Sequence, residues 1–379
     1  MPRKFGLAHF LQSDSGMTQS PQFYQPPFCP NPQCKHHSNP RAWAFKKAGF
    51  HVRSHPPQRV QRYQCLTCRR SFSYQTFQTS YWLKRPDLLF SVFYRSVSGS
   101  GFRQIARELA VSPQTVSGQT SRLGRHCLLF QQQYRHQATV DEPLVADGFE
   151  SFEYSQYFPC HFHLVVGAHS HFLHAFTDSE LRRKGRMTDY QKRRRASLEA
   201  SVGRPDPKSI RREFAELLKL LPGNGPIELH TDEHRAYPRA LKDLNRSISH
   251  QTTPSKRPRT SRNPLFPVNL VDLLIRHSGA NHKRETIAFS KRRQGAAERL
   301  AIFQVWRNFL KHFSERRSSA TPAQRLGLLD RRLSLEEVLR DRLFPARTVL
   351  PERLMRYYRR EIPTRCIPNG TMHRLKYAF

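Results

Sequence analysis

The spacing of apolar positions changes partway along the chain. From Trp82 to Val97, Phe102 to Ala110 and Pro113 to Leu123 they recur at helical intervals and predict three helices. Gln131 to Glu142 is polar and reads as a linker. From Pro143 the period shortens towards two. Leu144-Val-Ala-Asp-Gly-Phe-Glu-Ser-Phe predicts a strand. His161-Phe-His-Leu-Val-Val-Gly-Ala predicts a second, and Phe172-Leu-His-Ala-Phe a third, close enough to form a hairpin with it. A basic helical insert from Ser179 to about Ser201 follows. Pro207 to Leu221 is then amphipathic, with Ile210, Phe214, Leu217, Leu218 and Leu221 on one side. Pro226-Ile-Glu-Leu-His-Thr predicts another strand, Glu233 to Leu244 a helix, and Thr252 to Pro267 a basic, Pro-rich loop. Asn269 to about His312 is mostly helical, and the tail shows helical patches at Leu333–Leu343 and Leu350–Tyr358. Residues 1–28 are polar and Pro/Gln-rich and predict a loose segment; no repeat of fixed period is present.

Composition narrows the partners. The chain has 379 residues, long enough for two or three domains, and 37% hydrophobic residues, enough for a core along most of it. Lys and Arg number 64 against 29 Asp and Glu, a formal charge of +35. So basic a chain attracts a polyanion, because neutralised phosphates release condensed counterions. A small ribosomal or secreted cationic protein does not fit the length and the patterning. No run of about 18 apolar residues predicts a membrane span, and Met1 to Asp14 lacks the plan of a signal peptide. Seven cysteines, four of them in two close pairs, point to a metal site in a reducing compartment. The expected location is the cytoplasm, on the chromosome.

Cys29-x4-Cys34 and Cys65-x2-Cys68 are two knuckles whose inner cysteines lie 31 residues apart. Structural Zn²⁺ takes four ligands at tetrahedral vertices, and two short loops supply them. The second knuckle sits in Arg62-Tyr-Gln-Cys-Leu-Thr-Cys-Arg-Arg-Ser-Phe, flanked by β-prone residues. This resembles a zinc ribbon over residues 29–75, with the metal standing in for a core that some fifty residues cannot easily supply. His36 and His37 are alternative ligands by type, but their position predicts solvated side chains.

Residues 82–127 end in Gly101-Phe-Arg-Gln-Ile-Ala-Arg-Glu-Leu-Ala-Val-Ser-Pro-Gln-Thr-Val-Ser-Gly-Gln-Thr-Ser-Arg-Leu, which looks like a helix-turn-helix. Ile105, Ala106 and Leu109 face a core, Val111 closes the turn, Ser112 caps the next helix and Pro113 suits its first position. Val116 and Leu123 pack that helix. This leaves Gln114, Thr115, Gly118, Ser121 and Arg122 for the groove and phosphates of double-stranded DNA.

Two aspartates stand where a ribonuclease-H-like fold places catalytic ones. Asp147 lies among Val145, Ala146 and Phe149 in the first predicted strand, and Asp232 ends the strand that begins at Ile227. In such a fold the first and fourth strands are neighbours, so acids 85 residues apart meet. Two Mg²⁺ ions bridging them suit phosphodiester chemistry. Either aspartate alone reads as a strand-end turn residue; the ordered pair, with three strands before and a helix after, is what carries the catalytic reading.

Over roughly residues 29–312 the chain resembles DDE transposases of bacterial insertion sequences, especially the IS-one-like kind. The resemblance rests on the two cysteine knuckles, the helix-turn-helix, Asp147, Thr231-Asp232-Glu-His-Arg-Ala-Tyr, and the stretch from Arg276 through Phe289-Ser290-Lys291. It implies a third acid on a later helix, in an Asn-x-x-Glu pattern followed by a basic residue. Asn269-Leu-Val-Asp272-Leu-Leu-Ile-Arg276 matches it with Asp in place of Glu, and Arg276 one turn on can hold a phosphate or orient the acid. Glu285 in Asn281-His-Lys-Arg-Glu-Thr is the alternative third acid, and Glu298 reads as a solvated helix residue. Glu150 and Glu153 read as surface or supporting groups. The implied architecture is a mixed α+β or α/β multidomain chain: zinc ribbon, helix-turn-helix, a ribonuclease-H-like catalytic domain over 143–312 with a basic helical insert at about 179–221, and a C-terminal helical tail over 313–379.

The implied activity is Mg²⁺-dependent cleavage and strand transfer at transposon ends and target DNA by a homo-oligomer. A DNA-binding regulator with an inactive catalytic domain, and a metal-dependent DNA nuclease that cuts without joining, are the rival readings. Arg182-Arg-Lys-Gly-Arg, Lys192-Arg-Arg-Arg195, Lys256-Arg-Pro-Arg259 and Lys291-Arg-Arg293 are further candidate phosphate contacts. Trp306 and Phe309 have the helical spacing of core residues, and His230 and His234 beside Asp232 read as exposed.

Overall fold

Strands from the head of the chain and strands from its middle form two separate sheets. The computed structural model describes residues 24–54, 57–283, 286–315, 319–368 and 372. They divide into two units: one holds residues up to 83 together with Leu339–Arg347, the other Lys84–Val338 and the chain from Thr348 onward.

In the first unit a short helix α1 (Lys35–Ser38) precedes β1 (Phe45–Val52), β2 (Arg59–Cys65) and β3 (Ser71–Ser73), an antiparallel sheet in the order β1-β2-β3. The β1–β2 register slips between Lys47 and Phe50, and Gly49 supplies the positive φ of 73° at that bulge. The unit's core is aromatic: Tyr63, Phe72, Phe77 and Phe344 pack with the cysteines, and Tyr24 and Phe28 pack against them. Tyr24 and Phe28, expected in a loose segment, are thus part of this core, and residues 1–23 lie outside the described ones. Phe344 comes from the C-terminal tail, so part of that tail serves the first unit.

The second unit opens with α2 (Leu88–Ser96), α3 (Phe102–Glu108) and α4 (Pro113–Arg135). The first of these starts later than the expected Trp82 because Pro86 disfavours helix in the residue before it. The third runs on through the expected linker. Gln131 and Gln132 are buried rather than solvated, and Gln131 Oε1 accepts from Asn308 Nδ2 at 3.1 Å. The run β4 (Leu144–Phe152), β5 (Pro159–Gly167) and β6 (Leu173–Glu180) is antiparallel. Next come α5 (Asp189–Val202), α6 (Ser209–Lys219), β7 (Ile227–Asp232), α7 (Ala236–Leu241) and β8 (Ile248–Thr253). The five-stranded sheet has the order β6-β5-β4-β7-β8, with β7 parallel to β4 and β8 parallel to β7.

Helix α7 is shorter than expected. Pro238 is tolerated only in a helix's first turn, so the helix begins at Ala236. Strand β8 was not expected: Ile248-Ser-His-Gln-Thr-Thr is polar and mostly exposed, and it is stabilised by the backbone ladder at a sheet edge.

The chain continues through α8 (Phe266–Ser278), a 3-10 turn (Ala280–His282), α9 (Arg293–Val305), a π turn (Trp306–Leu310), α10 (Pro322–Arg325), α11 (Leu335–Leu339) and α12 (Glu352–Arg359). Helix α9 is buried at every position from Ala296 to Val305 and packs along α4. The approach is close at Gly124, where a Cβ would stand 2.7 Å from the Glu298 carbonyl oxygen. The π turn closes the β6 edge: Asn308 accepts from the Leu173 amide at 3.0 Å and donates to its carbonyl at 2.9 Å. Among the described residues no helix is long and apolar enough to cross a membrane.

Candidate functional site

Strands β4 and β7 run parallel, with Leu144 opposite Leu229 and Val145 opposite His230. The same offset separates Asp147 from Asp232, so the register brings the two aspartates together at the end of β7. Asp147 shares its face of the sheet with Phe149, and Arg276 of α8 lies over the Phe149 ring at 5.4 Å. The helix that carries Asp272 thus covers the face that carries Asp147. Burial first, then the Asp232 charge, with a smaller part from Asp272, pushes Asp147 up to about 7. Asp232 and Asp272 act on Asp147 through space, but the three carboxylates do not close into a cluster: among the described residues, only the cysteine group below has three or more ligand atoms within 4.8 Å.

Each acid is positioned differently. Asp147 is fixed by a central strand whose neighbour Gly148 cannot carry a side chain, since a Cβ there would stand 2.0 Å from the Phe162 carbonyl oxygen. Asp232 Oδ1 accepts from the His234 amide at 3.0 Å, which turns the chain out of β7. Asp272 accepts from Arg276 Nε at 3.0 Å one helical turn on. Arg276 also donates to the His282 carbonyl at 3.3 Å and the Glu150 carbonyl at 3.4 Å. Each of its three nitrogens has a partner inside the protein, so this geometry suits orienting Asp272 more than gripping a phosphate.

Other expected residues stand elsewhere. Glu285, the alternative third acid, lies outside the described residues. Glu298 is buried, not solvated, and accepts from Ser121 Oγ at 3.0 Å and Arg360 Nε at 2.9 Å. Glu150 is exposed, while Glu153 is buried and accepts from Thr364 Oγ1 at 2.9 Å. Reading residues singly missed Tyr237, buried within reach of both the Asp147 and Asp232 charges. Its signal was its place five residues after Asp232. Also missed was His161, whose imidazole lies beneath Gly148 and is held neutral, near 4, by burial and then by His234 and Arg276.

The four knuckle cysteines converge in the first unit. Cys29 and Cys68 Sγ are 3.5 Å apart, Cys34 and Cys65 Sγ 4.0 Å, and all four lie within 4.8 Å of one another. A tetrahedral site with Zn–S near 2.3 Å needs edges of about 3.8 Å. The four thiols are thus close enough to hold a metal ion. The Trp43 indole N–H points at Cys65 Sγ at 3.3 Å. His37 is not solvated as expected: it is fully buried, its Nδ1 is 2.8 Å from the Cys29 carbonyl, and its ring packs on Phe28 and Phe344.

At the helix pair α3–α4, Ser112 Oγ accepts from the Thr115 amide at 3.1 Å with Pro113 in the first position. Ile105, Ala106, Val116 and Leu123 are buried. Gln114 and Gly118 are exposed, and Thr115 and Arg122 half-buried. Ser121 faces inward to Glu298 and does not belong to the exposed set. In the basic insert, α5 has no buried residue. Glu199 gathers Arg182 at 2.8 Å, Arg204 at 3.2 Å and Arg195 at 3.7 Å.

No protein-family model matches the chain, and no curated protein matches it. Among solved structures it is similar to a chain of the cryo-EM structure of the simian T-cell lymphotropic virus intasome in complex with PP2A regulatory subunit B56 gamma. The identity is 13%, the match covers 64% of this chain and 74% of that chain, and the TM-score is 0.25.

Proposed function

We propose that the protein is a DNA transposase that binds the ends of a bacterial insertion sequence, cuts the DNA strand and joins it to a target. One observation carries the reading: two aspartates in register on neighbouring parallel strands, with a third on the helix over the same face. Three antiparallel strands continued by two parallel ones, β6-β5-β4-β7-β8, is the sheet order that a ribonuclease-H-like domain requires. The donor set suits Mg²⁺: hard oxygen ligands, and an Asp147 raised by burial and then by the Asp232 charge, a penalty that a cation relieves. Asp147, Asp232 and Asp272 would hold it. Bound Mg²⁺ supplies Lewis-acid activation of the attacking hydroxyl and charge stabilisation of the leaving oxygen.

The chain's own residues do the rest. Asp147 loses its proton near neutrality, Arg276 fixes the Asp272 carboxylate, and the exposed cations of α5 neutralise phosphates. The four cysteines would hold structural Zn²⁺, and Gln114, Thr115, Gly118 and Arg122 would meet DNA.

A second reading, a DNA-binding regulator with an inactive catalytic domain, draws on the ion pair that engages Asp272 and on the absence, among the described residues, of a carboxylate cluster within 4.8 Å. Purified full-length protein, DNA carrying the sequences that flank its gene, and Mg²⁺ separate the two. The transposase reading expects cut and joined products, both lost in Asp147→Ala and Asp232→Ala. Cutting that persists in either variant sinks the active-site assignment. Binding without cutting in the parent protein supports the regulator.

A further inference from the structure

We propose that Arg259 is the phosphate-positioning residue of this site, holding the scissile phosphodiester of DNA at the carboxylates. The inference rests on the transposase reading. It starts from a gap in that reading: Arg276, the cation on the acid-bearing helix, directs all three of its nitrogens at Asp272 and at two carbonyls of the protein. Beside the Mg²⁺ that the carboxylates would hold, a side-chain cation is what orients a phosphate.

The loop between β8 and α8 is placed to provide it. It leaves β8 at Thr253, which pairs with Asp232, and enters α8, which bears Asp272. Both ends are therefore anchored on acid-bearing parts of the fold. The Ser255 amide donates to Glu233 Oε2 at 2.9 Å, tying the loop's start to the residue after Asp232. Asn263, buried at the other end, donates to the Pro258 carbonyl at 2.9 Å and accepts from the Leu265 amide at 2.9 Å. The residue before Arg259 is thus held by a buried side chain, and two prolines, Pro254 and Pro258, stiffen the loop.

Lys256, Arg257, Arg259 and Arg262 project from this short segment, which contains no acid. All four are exposed, and none has an ion-pair partner among the described residues. The basic insert differs, since Glu199 there pairs with three arginines. Arg259, next to the anchored Pro258, acts on Asp147 through space, though less than burial and the Asp232 charge do. The planar guanidinium matches two phosphate oxygens at once, which a lysine ammonium cannot do.

The test uses the full chain with a short fluorescent DNA duplex and, separately, the Mg²⁺ cleavage assay. Arg259→Ala is expected to lower the slope of log affinity against log salt by about one phosphate contact. It should also slow cleavage roughly 10- to 100-fold at saturating DNA. Arg259→Lys should recover the salt slope but only part of the rate, an outcome that a merely structural role would not give. An unchanged slope and an unchanged rate in Arg259→Ala overturn the assignment while the carboxylate site stands. If the parent protein binds the duplex but cuts nothing, the transposase reading falls, and the salt slope still decides whether Arg259 holds a phosphate.

Discussion

Asp147 and Asp232 are lateral neighbours, set side by side by the parallel register of Leu144 with Leu229 and Val145 with His230. Burial and the Asp232 charge together raise Asp147 to about 7. An acid whose folded pKa lies above its unfolded value of about 3.9 costs stability when it ionises. The cost is absent below about pH 4, grows as pH rises to about 7, and is complete above that. Asp147→Asn should therefore stabilise the metal-free protein at about pH 8, by on the order of 2–4 kcal/mol, and change little at about pH 4. Urea titrations of both proteins in chelator decide it. Equal stability at the higher pH would show that neither burial nor the Asp232 charge penalises the Asp147 carboxylate.

The same penalty predicts a response to metal. A divalent cation that binds only the folded site stabilises it by about 2.7 kcal/mol at a hundredfold excess over its dissociation constant. The parent protein should melt at a higher temperature in Mg²⁺ or Mn²⁺ than in chelator, and Asp147→Asn and Asp232→Asn should lose most of that rise. A shift of the same size in all three would place the cation elsewhere.

For the cysteine site the expected stoichiometry is one zinc ion per chain, released by a strong chelator or by Cys65→Ser. Structural zinc contributes folding energy directly, on the order of 10 kcal/mol in small domains. Its loss should loosen the aromatic core in which Trp43 and Phe72 lie 5.6 Å apart and Trp43 donates to Cys65. Metal analysis with near-ultraviolet circular dichroism reports both effects. Protein purified without metal yet with an unaltered aromatic signal would rule zinc out as the organiser of this unit.

The sequence showed some of this and hid the rest, for physical reasons. That Asp147 and Asp232 would be neighbours was legible because Asp147 stands in an apolar run, where a carboxylate is conspicuous, and because a sheet order relates its strand to the one Asp232 ends. The knuckles were legible from spacing. Strand β8 was not, since an edge strand made of Ser, His, Gln and Thr carries no apolar alternation. The second half of α4 was misread because glutamines signal solvent, whereas Gln131 and Gln132 are buried. Glu298 was misread for the same reason: only the approach of α4 and the tail shows that its carboxylate has buried partners. Phe344 gave no sign that it would pack in a core formed some 270 residues earlier.

Asp178 also was invisible as a structural centre. It is buried on β6 and accepts from Arg353 Nη2 at 2.6 Å, with Arg293 Nε at 3.1 Å; Arg353 Nε also reaches Glu213 Oε2 at 2.6 Å. Burial alone would raise this acid, but Arg293 and Arg353 prevail and hold it down to about 2. An acid depressed in the fold contributes stability above its unfolded pKa of about 3.9, and that stability is lost as pH falls from there towards 2. Arg353→Met removes one partner and leaves buried carboxylates uncompensated, so a loss of about 3–5 kcal/mol is expected at neutral pH. The difference should shrink on acidification. A loss below about 1 kcal/mol would mean that the cluster is hydrated and worth no more than a surface pair.

Two glycines of α4 give opposite expectations from one kind of substitution. At Gly124 a new Cβ would stand 2.7 Å from the Glu298 carbonyl oxygen and 2.8 Å from its Cα, and backbone in a packed helix pair cannot easily retreat. Gly124→Ala should cost about 1–3 kcal/mol by forcing α4 from α9. At Gly118 nothing lies within 4 Å of the added atom. Alanine there should stabilise the helix by up to about 1 kcal/mol. If Gly118 meets DNA, as the helix-turn-helix reading requires, the same methyl should nevertheless weaken duplex binding, because the glycine then serves close approach rather than folding. Gly118→Ala that gains stability and keeps full affinity would remove Gly118 from the DNA surface. One that gains stability and loses affinity would separate recognition from folding at a single atom.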